Sequence, residues 1–367
     1  MIYVWMMICA TLLAFLSREA QLLTYDSGEI GRNTKKNLLS KMLFFLSYLF
    51  IFIPGAIRYY VGTDYTGYSL HQIPAVLARM PAKVELLYRY VIFIGDWLGK
   101  NTTYQYIFVI TNFLIVTFLY IYIAQQSRLR ELSIFIFVCG GFFAFSLSGM
   151  RQSIAVVIFL YATKYIKSRK LIKYALFILI ATLFHTSAVI YFLFYFIVNI
   201  KFSPVVVILL MTVLKISANS VRTILIIVLS KFNLYADYFG GRFDTGGFNL
   251  LMVILVLSMM IIVMGAYFVF PKKQFNQYNV EINVHYMACI VISIINVLPT
   301  PSRTLFLLVP IYITLIPNLI SEIEDKKMKY ILYICVIIFF SVFFYKNVIE
   351  GNAYEILPYR DIWGIFG

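Results

Sequence analysis

Apolar runs of about 20 residues recur along this chain, and short polar or basic breaks separate them. Residues 1–17 form the first run, with no basic residue before it. That start lacks the charged region of a cleaved leader, so it predicts a retained first span. A break at 18–36 carries Arg18, Arg32, Lys35 and Lys36, and the second run, Leu38 to Ile57, stops at Arg58. Further spans are expected near 104–124, 132–147, 152–166, up to Phe184, 188–200, 203–216, 249–270, 284–298, 304–320 and 328–346. Residues 84–98, with Glu85, Arg89 and Asp96, read as a helix lying at the interface or re-entering the membrane. The pattern predicts an all-α integral membrane protein, a polytopic helical bundle of about 12 transmembrane helices. It reads as one transmembrane domain over 1–367, with outer-face segments at 58–103 and 217–248 and an outer tail at 347–367.

Composition narrows the class further. Only 13% of the 367 residues are charged and 62% are hydrophobic, whereas soluble domains hold about 25% charged residues. Strands of a membrane barrel would be about 10 residues long with alternating polarity, and that pattern is absent. The net charge of +15 sits in the breaks between spans. It reads as a topology signal and as contact with membrane lipids, not with nucleic acid. Cys9, Cys139, Cys289 and Cys335 lie in apolar runs, without disulfide or zinc spacing. His71, His185 and His285 form no metal-binding motif. With no phosphate-binding glycine loop and no soluble catalytic region, no metal or cofactor is expected. Any chemistry belongs on a membrane face or between helices.

Lysine and arginine in short loops set the orientation. Placing 18–36 in the cytoplasm puts the basic run Lys164, Lys167, Arg169, Lys170 and Lys173 there too, with Lys326, Lys327 and Lys329. Lysine dominates that side. Arginine leads on the other, where Arg58, Arg151, Arg242 and Arg303 stand at span ends far apart in sequence. Asp64, Glu85, Asp244 and His185 fall on the same face. Ionisable groups near membrane depth usually mark function. Several converging arginines suit an anionic group such as diphosphate, because the guanidinium makes paired charge-assisted hydrogen bonds. The structural alternative is that each arginine snorkels to the interface or pairs with a local carboxylate.

The densest polar cluster is Arg58-Tyr59-Tyr60-Val61-Gly62-Thr63-Asp64-Tyr65-Thr66-Gly67-Tyr68. Gly62 and Gly67 permit tight turns, and tyrosine faces suit sugar rings. An aromatic belt at headgroup level fits the same residues.

Arg58 with Gly62-Thr63-Asp64-Tyr65 and Tyr68, then Glu85 opening an apolar segment, Met150-Arg151-Gln152-Ser153-Ile154-Ala155 and Phe184-His185-Thr186-Ser187-Ala188 form an ordered set. That set resembles the EpsG family of Wzy-type polysaccharide polymerases over roughly residues 45–200. Arg303, after Pro301-Ser302, resembles a late arginine of the family more loosely, and Arg242 is carried on position alone. The resemblance implies a GT-C-like glycosyltransferase of the bacterial inner membrane with its active site on the periplasmic or external face. The substrate would be undecaprenyl-diphosphate-linked oligosaccharide, and a chain-length regulator protein is a candidate partner. Neither nucleotide sugar nor metal is implied. Arg151 and Arg303 are the first candidates to stabilise the leaving diphosphate, with Arg58 and Arg242 behind them. Tyr60, Thr63, Tyr68 and Gln152 are candidates for binding substrate. Asp64, Glu85 and His185 compete as base toward the acceptor hydroxyl, histidine being the type that titrates nearest neutrality. A lipid-linked oligosaccharide flippase and an O-antigen ligase are the alternatives. A flippase would spread polar groups through a midplane cavity instead of crowding one face.

The topology has a direct test. In a cysteine-free background, Leu70→Cys and Thr245→Cys should react with an impermeant thiol reagent added from outside, and Ser168→Cys should not. Labelling at 168 from outside would scatter the arginines over both faces.

Overall fold

The seam between the first two helices shows how the chain is built. Helix α1 (Ile2–Tyr25) buries Tyr3, Met6, Ala10, Ala14 and Ser17, spaced three and four residues apart and so on one face. That face packs along α2 (Ile30–Ile57). Alanine and serine let the two backbones approach closely, as in membrane helix pairs. Ser17 Oγ donates to Ser40 O at 2.8 Å, and Ser40 Oγ returns the bond to Ser17 O at 2.7 Å. Ser47 Oγ donates to Ala10 O at 2.7 Å. The break expected at 18–36 is mostly helical, because Arg18 to Leu23 are good helix formers. Arg18 is not a loop cation; it pairs with buried Glu131.

The computed structural model describes residues 2–25, 30–100, 103–198, 200–231 and 250–364. It is 81% helix with no strand among the described residues, as the apolar periodicity predicts. Two compact units make up the chain, residues 1–192 with 313–367, and residues 193–312. After α1 and α2 the first unit continues through a π-helical turn (Gly67–Gln72), α3 (Ile73–Leu77), α4 (Leu86–Leu98) and α5 (Gln105–Gln126). Next come α6 (Arg130–Cys139), α7 (Phe142–Ser148), α8 (Met150–Lys167) and α9 (Leu171–Phe184), then a 3-10 turn (Thr186–Ile190) leading into α10 (Tyr191–Ile197). The second unit holds α11 (Pro204–Ile216), α12 (Ala218–Lys231), α13 (Leu250–Val269), α14 (Lys272–Asn276), α15 (Asn279–Ser293) and α16 (Pro301–Leu305). There Asn279 and Asn283, one turn apart on α15, both donate to Val198 O, at 3.1 and 2.9 Å. Helices α17 (Tyr312–Ser321) and α18 (Lys326–Phe344) complete the chain's long elements.

Six helical stretches are long and apolar enough to cross a membrane: Ile2–Leu22, Asn37–Ile57, Gln105–Gln126, Leu250–Val269, Pro301–Ser321 and Lys326–Glu350. Two bent pairs, α6 with α7 at 54° and α11 with α12 at 81°, bring the number to as many as eight. The expected larger count also took in α8, α9, the segment after His185, and α15. Helix α9 has 14 residues and α15 has 15, short of the roughly 20 that a full crossing needs. Helix α8 carries Arg151, Lys164 and Lys167. Helices α6, α7 and α8 are nevertheless buried almost all round. An all-round apolar helix is an interior helix.

The end of α2 governs the path of the loop after it. Its last carbonyls have no partner within the helix, and Pro54 removes one backbone donor. Other parts of the first unit supply the donors. Tyr359 Oη donates to Pro54 O at 2.9 Å, Gln105 Nε2 to Ala56 O at 2.6 Å, and Ile362 N to Ile57 O at 3.0 Å. The 347–367 tail therefore returns along this loop. Gly62 N donates to Glu355 O at 3.2 Å and Thr63 N to Tyr354 O at 2.8 Å. Gly62 has φ of 107°, and a Cβ there would meet Leu147 O at 2.7 Å. Gly62→Ala should therefore cost about 1–3 kcal/mol and lower the melting temperature in detergent. Unchanged melting would show that the loop relaxes away from Leu147.

Candidate functional site

Helices α8 and α9 pack side by side and are joined by a short basic turn, so Arg151 and His185 share one end. Lys164, Lys167 and Lys170 stand at the other, about 27 Å away along the 18-residue α8. His185 breaks α9 in extended conformation, φ −155° and ψ 119°, and the chain restarts as the 3-10 turn. Glu85 is the N-cap residue of α4, also extended.

These three side chains meet. Glu85 Oε2 forms an ion pair with Arg151 Nη1. Glu85 Oε1 accepts from His185 Nδ1 at 3.1 Å, Thr186 N at 3.2 Å and Thr186 Oγ1 at 3.4 Å. Arg151 Nη1 also donates to Lys83 O at 3.1 Å, and its Nε to Tyr68 Oη at 3.3 Å. The guanidinium lies 5.8 Å from the centre of the Tyr68 ring. Arg89 braces the same strip, donating to Val84 O and Ala82 O at 2.8 Å each. The side chains of Glu85, Arg151 and His185 are 15%, 16% and 22% exposed, so the cluster is sheltered yet reachable. Burial pushes the Glu85 pKa up, but the His185 hydrogen bond and the Arg151 charge outweigh it and hold it at about 2. Glu85 is thus a fully ionised carboxylate at neutral pH. With Glu85 ionised, His185 Nδ1 carries the proton of their bond, and Nε2 is the ring nitrogen left for a proton transfer.

Arg58 follows α2 and is 2% exposed. Its Nη2 donates to Met150 Sδ at 2.9 Å, and the Phe108 ring lies 5.6 Å from its guanidinium carbon. Burial lowers its pKa to about 10, against the pull of nearby tyrosines, which leaves it a cation at neutral pH. Tyr68 is shared ground. It bonds Arg151 and also acts electrostatically on Arg58.

The other predicted residues are placed differently. Tyr60 is exposed with φ of 51°, its ring 4.7 Å from Tyr59. Thr63 is exposed, and Asp64 opens the helical turn, its carbonyl accepting from Tyr68 N at 3.0 Å. Gln152 is buried in α8. Arg303 lies exposed on α16 in the second unit. Arg242 and Asp244 lie outside the described residues. Among the described residues no group of His, Cys, Asp or Glu is placed to hold a metal ion. Thr186, the Lys83 carbonyl and Arg89 join the site without having been singled out. Thr186 stood beside His185 in the motif; backbone carbonyls and braces leave no mark in a sequence.

The fold and site define a class: a multi-pass helical membrane protein with a charged cluster at one end of its central helices. A family model, EpsG family, matches residues 41–360. The chain belongs to the EpsG family, a family of Wzy-type polysaccharide polymerase-like proteins. None of the curated proteins matches it, and no solved structure does.

Glu85 gives the cluster a pH signature. Its folded pKa of about 2 lies below the ordinary 4.5, so the carboxylate stabilises the fold by on the order of 3 kcal/mol above pH 4.5. That contribution drains away as pH falls toward 2. The melting temperature of the wild type should exceed that of Glu85→Gln by most above pH 5, with the gap closing in acid. A gap that ignores pH would mean that the carboxylate's charge does not hold the cluster.

Proposed function

We propose that this chain polymerises glycan repeat units carried on undecaprenyl diphosphate, on the outer face of the bacterial inner membrane. Family membership supports a polysaccharide polymerase-like function, and the Glu85 bridge between Arg151 and His185 carries the finer reading. A GT-C-like arrangement with about 12 crossings, counting the shorter apolar helices as well, belongs to the same proposal.

The chemistry runs through named atoms. The hydroxyl of a new lipid-linked repeat unit attacks the anomeric carbon of the growing glycan. His185 Nε2 accepts the hydroxyl proton, while Glu85 fixes the ring and stabilises the cation that forms. The bond from the anomeric carbon to the diphosphate breaks, and undecaprenyl diphosphate leaves with its electron pair. Arg151 stands where that negative charge develops. Tyr60, Thr63, Tyr68, Gln152, Arg242 and Arg303 bind substrate in this reading, with Asp64 as the second candidate for the base.

Purified protein incubated with one synthetic lipid-linked repeat unit should yield a ladder of products. Transbilayer movement without longer products would make it a flippase, and reaction only with a second acceptor would make it a ligase. Arg151→Lys keeps the charge but loses the fork that meets Glu85, Lys83 O and Tyr68. It should slow chain growth about 100- to 1,000-fold with normal amounts of protein in the membrane. Full-length glycan from the lysine variant would remove Arg151 from the reaction.

A further inference from the structure

Arg151 and Arg58 differ in one respect that decides where an anion would settle. The charge of Arg151 is cancelled by Glu85. Arg58 faces a thioether and aromatic rings, and its Nε and Nη1 find no hydrogen-bond acceptor among the described residues. A cation 2% exposed with two empty N–H nitrogens is strongly destabilising. Native proteins keep such groups where a ligand completes them.

The cover over Arg58 is the chain's own tail. Arg58 and Asp361 form an antiparallel backbone bridge, and Tyr59 N donates to Arg360 O at 2.9 Å. Asp361 Oδ1 is itself engaged, accepting from Trp363 N at 2.8 Å. The tail holds three non-glycine residues with positive φ, Asn352 at 40°, Tyr354 at 66° and Glu355 at 52°. Strain of this kind gathers at switches and clamps. The Asn352 side chain ties the turn, with Nδ2 donating to Leu357 O at 2.8 Å and Oδ1 accepting from Leu357 N at 2.9 Å.

We propose that Arg58 is the principal anion site of this protein, taking a phosphate or diphosphate group, and that the tail at 352–363 closes over it when the site is empty. Phosphate oxygens suit the two empty nitrogens, since charge-assisted bonds to guanidinium are the strong ones. The choice of a lipid diphosphate as natural occupant rests on the polymerase reading; the anion site itself does not. Opening the tail costs its backbone bonds, so affinity measured on the whole protein is reduced by the closed fraction.

Melting and binding measurements on the purified full chain in detergent test this, with inorganic pyrophosphate and a short-chain polyprenyl diphosphate as probes. Arg58→Met should melt higher than the wild type without ligand, by at least about 2 °C, because it no longer buries a cation. It should also bind both probes about tenfold or more weakly. Arg58→Lys should fold and bind at an intermediate level. Glu85→Gln, which frees the Arg151 charge, should bind more tightly, and so should Asn352→Ala, which loosens the tail. Arg58-dependent binding of pyrophosphate identifies a site open to free phosphate. Arg58-dependent binding of the polyprenyl probe alone identifies a lipid headgroup site. Arg58→Met melting lower, with unchanged affinity for either probe, would make Arg58 a structural cation and overturn the proposal. Unchanged affinity in Asn352→Ala would overturn the tail as its cover. Arg58-dependent binding without a product ladder would retire the polymerase reading and leave this site standing.

Discussion

A carboxylate drawn partly out of water must have its lone pairs used and its charge met, and Glu85 satisfies both demands from one end of one unit. Its two oxygens receive Arg151 from the start of α8, His185 from the end of α9 and Thr186 from the turn beyond. Three chain segments that the sequence keeps about 65 and 100 residues apart are thereby fixed against one another. The arrangement sets the histidine tautomer, the pose of the guanidinium and the conformation of the strip at 82–85 together. Removing the carboxylate would leave a sheltered cation and an unanchored ring, which is why the cluster behaves as one object and not as three residues.

The second constraint is the exposed end of a helix. Helix α2 stops with its carbonyls unpaired, and Gln105, Tyr359 and Ile362 supply the missing donors. Those bonds are what brings the tail back across the loop at 58–63. Once the tail lies there, Arg58 is sealed from solvent without an acceptor for two of its nitrogens among the described residues. Satisfying the backbone thus creates the unsatisfied side chain. A fold selected only for stability would have replaced Arg58 with an apolar residue of similar volume.

Much of this was legible beforehand. The apolar runs gave the all-helical membrane class, and helix periodicity with loop charge placed Arg58, Glu85, Arg151 and His185 toward one end. What periodicity could not report was where helices break. Gly141, with φ of 77°, bends α6 from α7, and His185 ends α9 early, so apolar runs that looked like spans are shorter pieces. Nor could it report pairing. Glu85 read as a candidate base because it is acidic and well placed; its hydrogen bonds and ion pair make it the group that holds the base. The return of the tail to α2 depends on backbone donors, to which side-chain identity is blind. Arg242 and Asp244 lie outside the described residues, and Arg303 belongs to the second unit, so the Glu85 cluster draws no support from them.

The first unit contains a useful internal control. Arg18 and Glu131 form another arginine–carboxylate pair, near the opposite end of the helices from Arg58. There the carboxyl is 1% exposed, and Glu19 is the second partner of the arginine. No histidine among the described residues joins it, and the pair ties α1 to α6. At Glu85 the same chemistry is only partly covered, and it adds an imidazole whose second nitrogen is left for another group. The difference is one of access and of proton chemistry, not of charge. A buried pair with no titratable imidazole beside it fixes register; a sheltered pair that orients a histidine has the parts that moving a proton requires. The uncancelled charge of Arg58 beside it supplies what neither pair has, a positive potential still free to act on an anion.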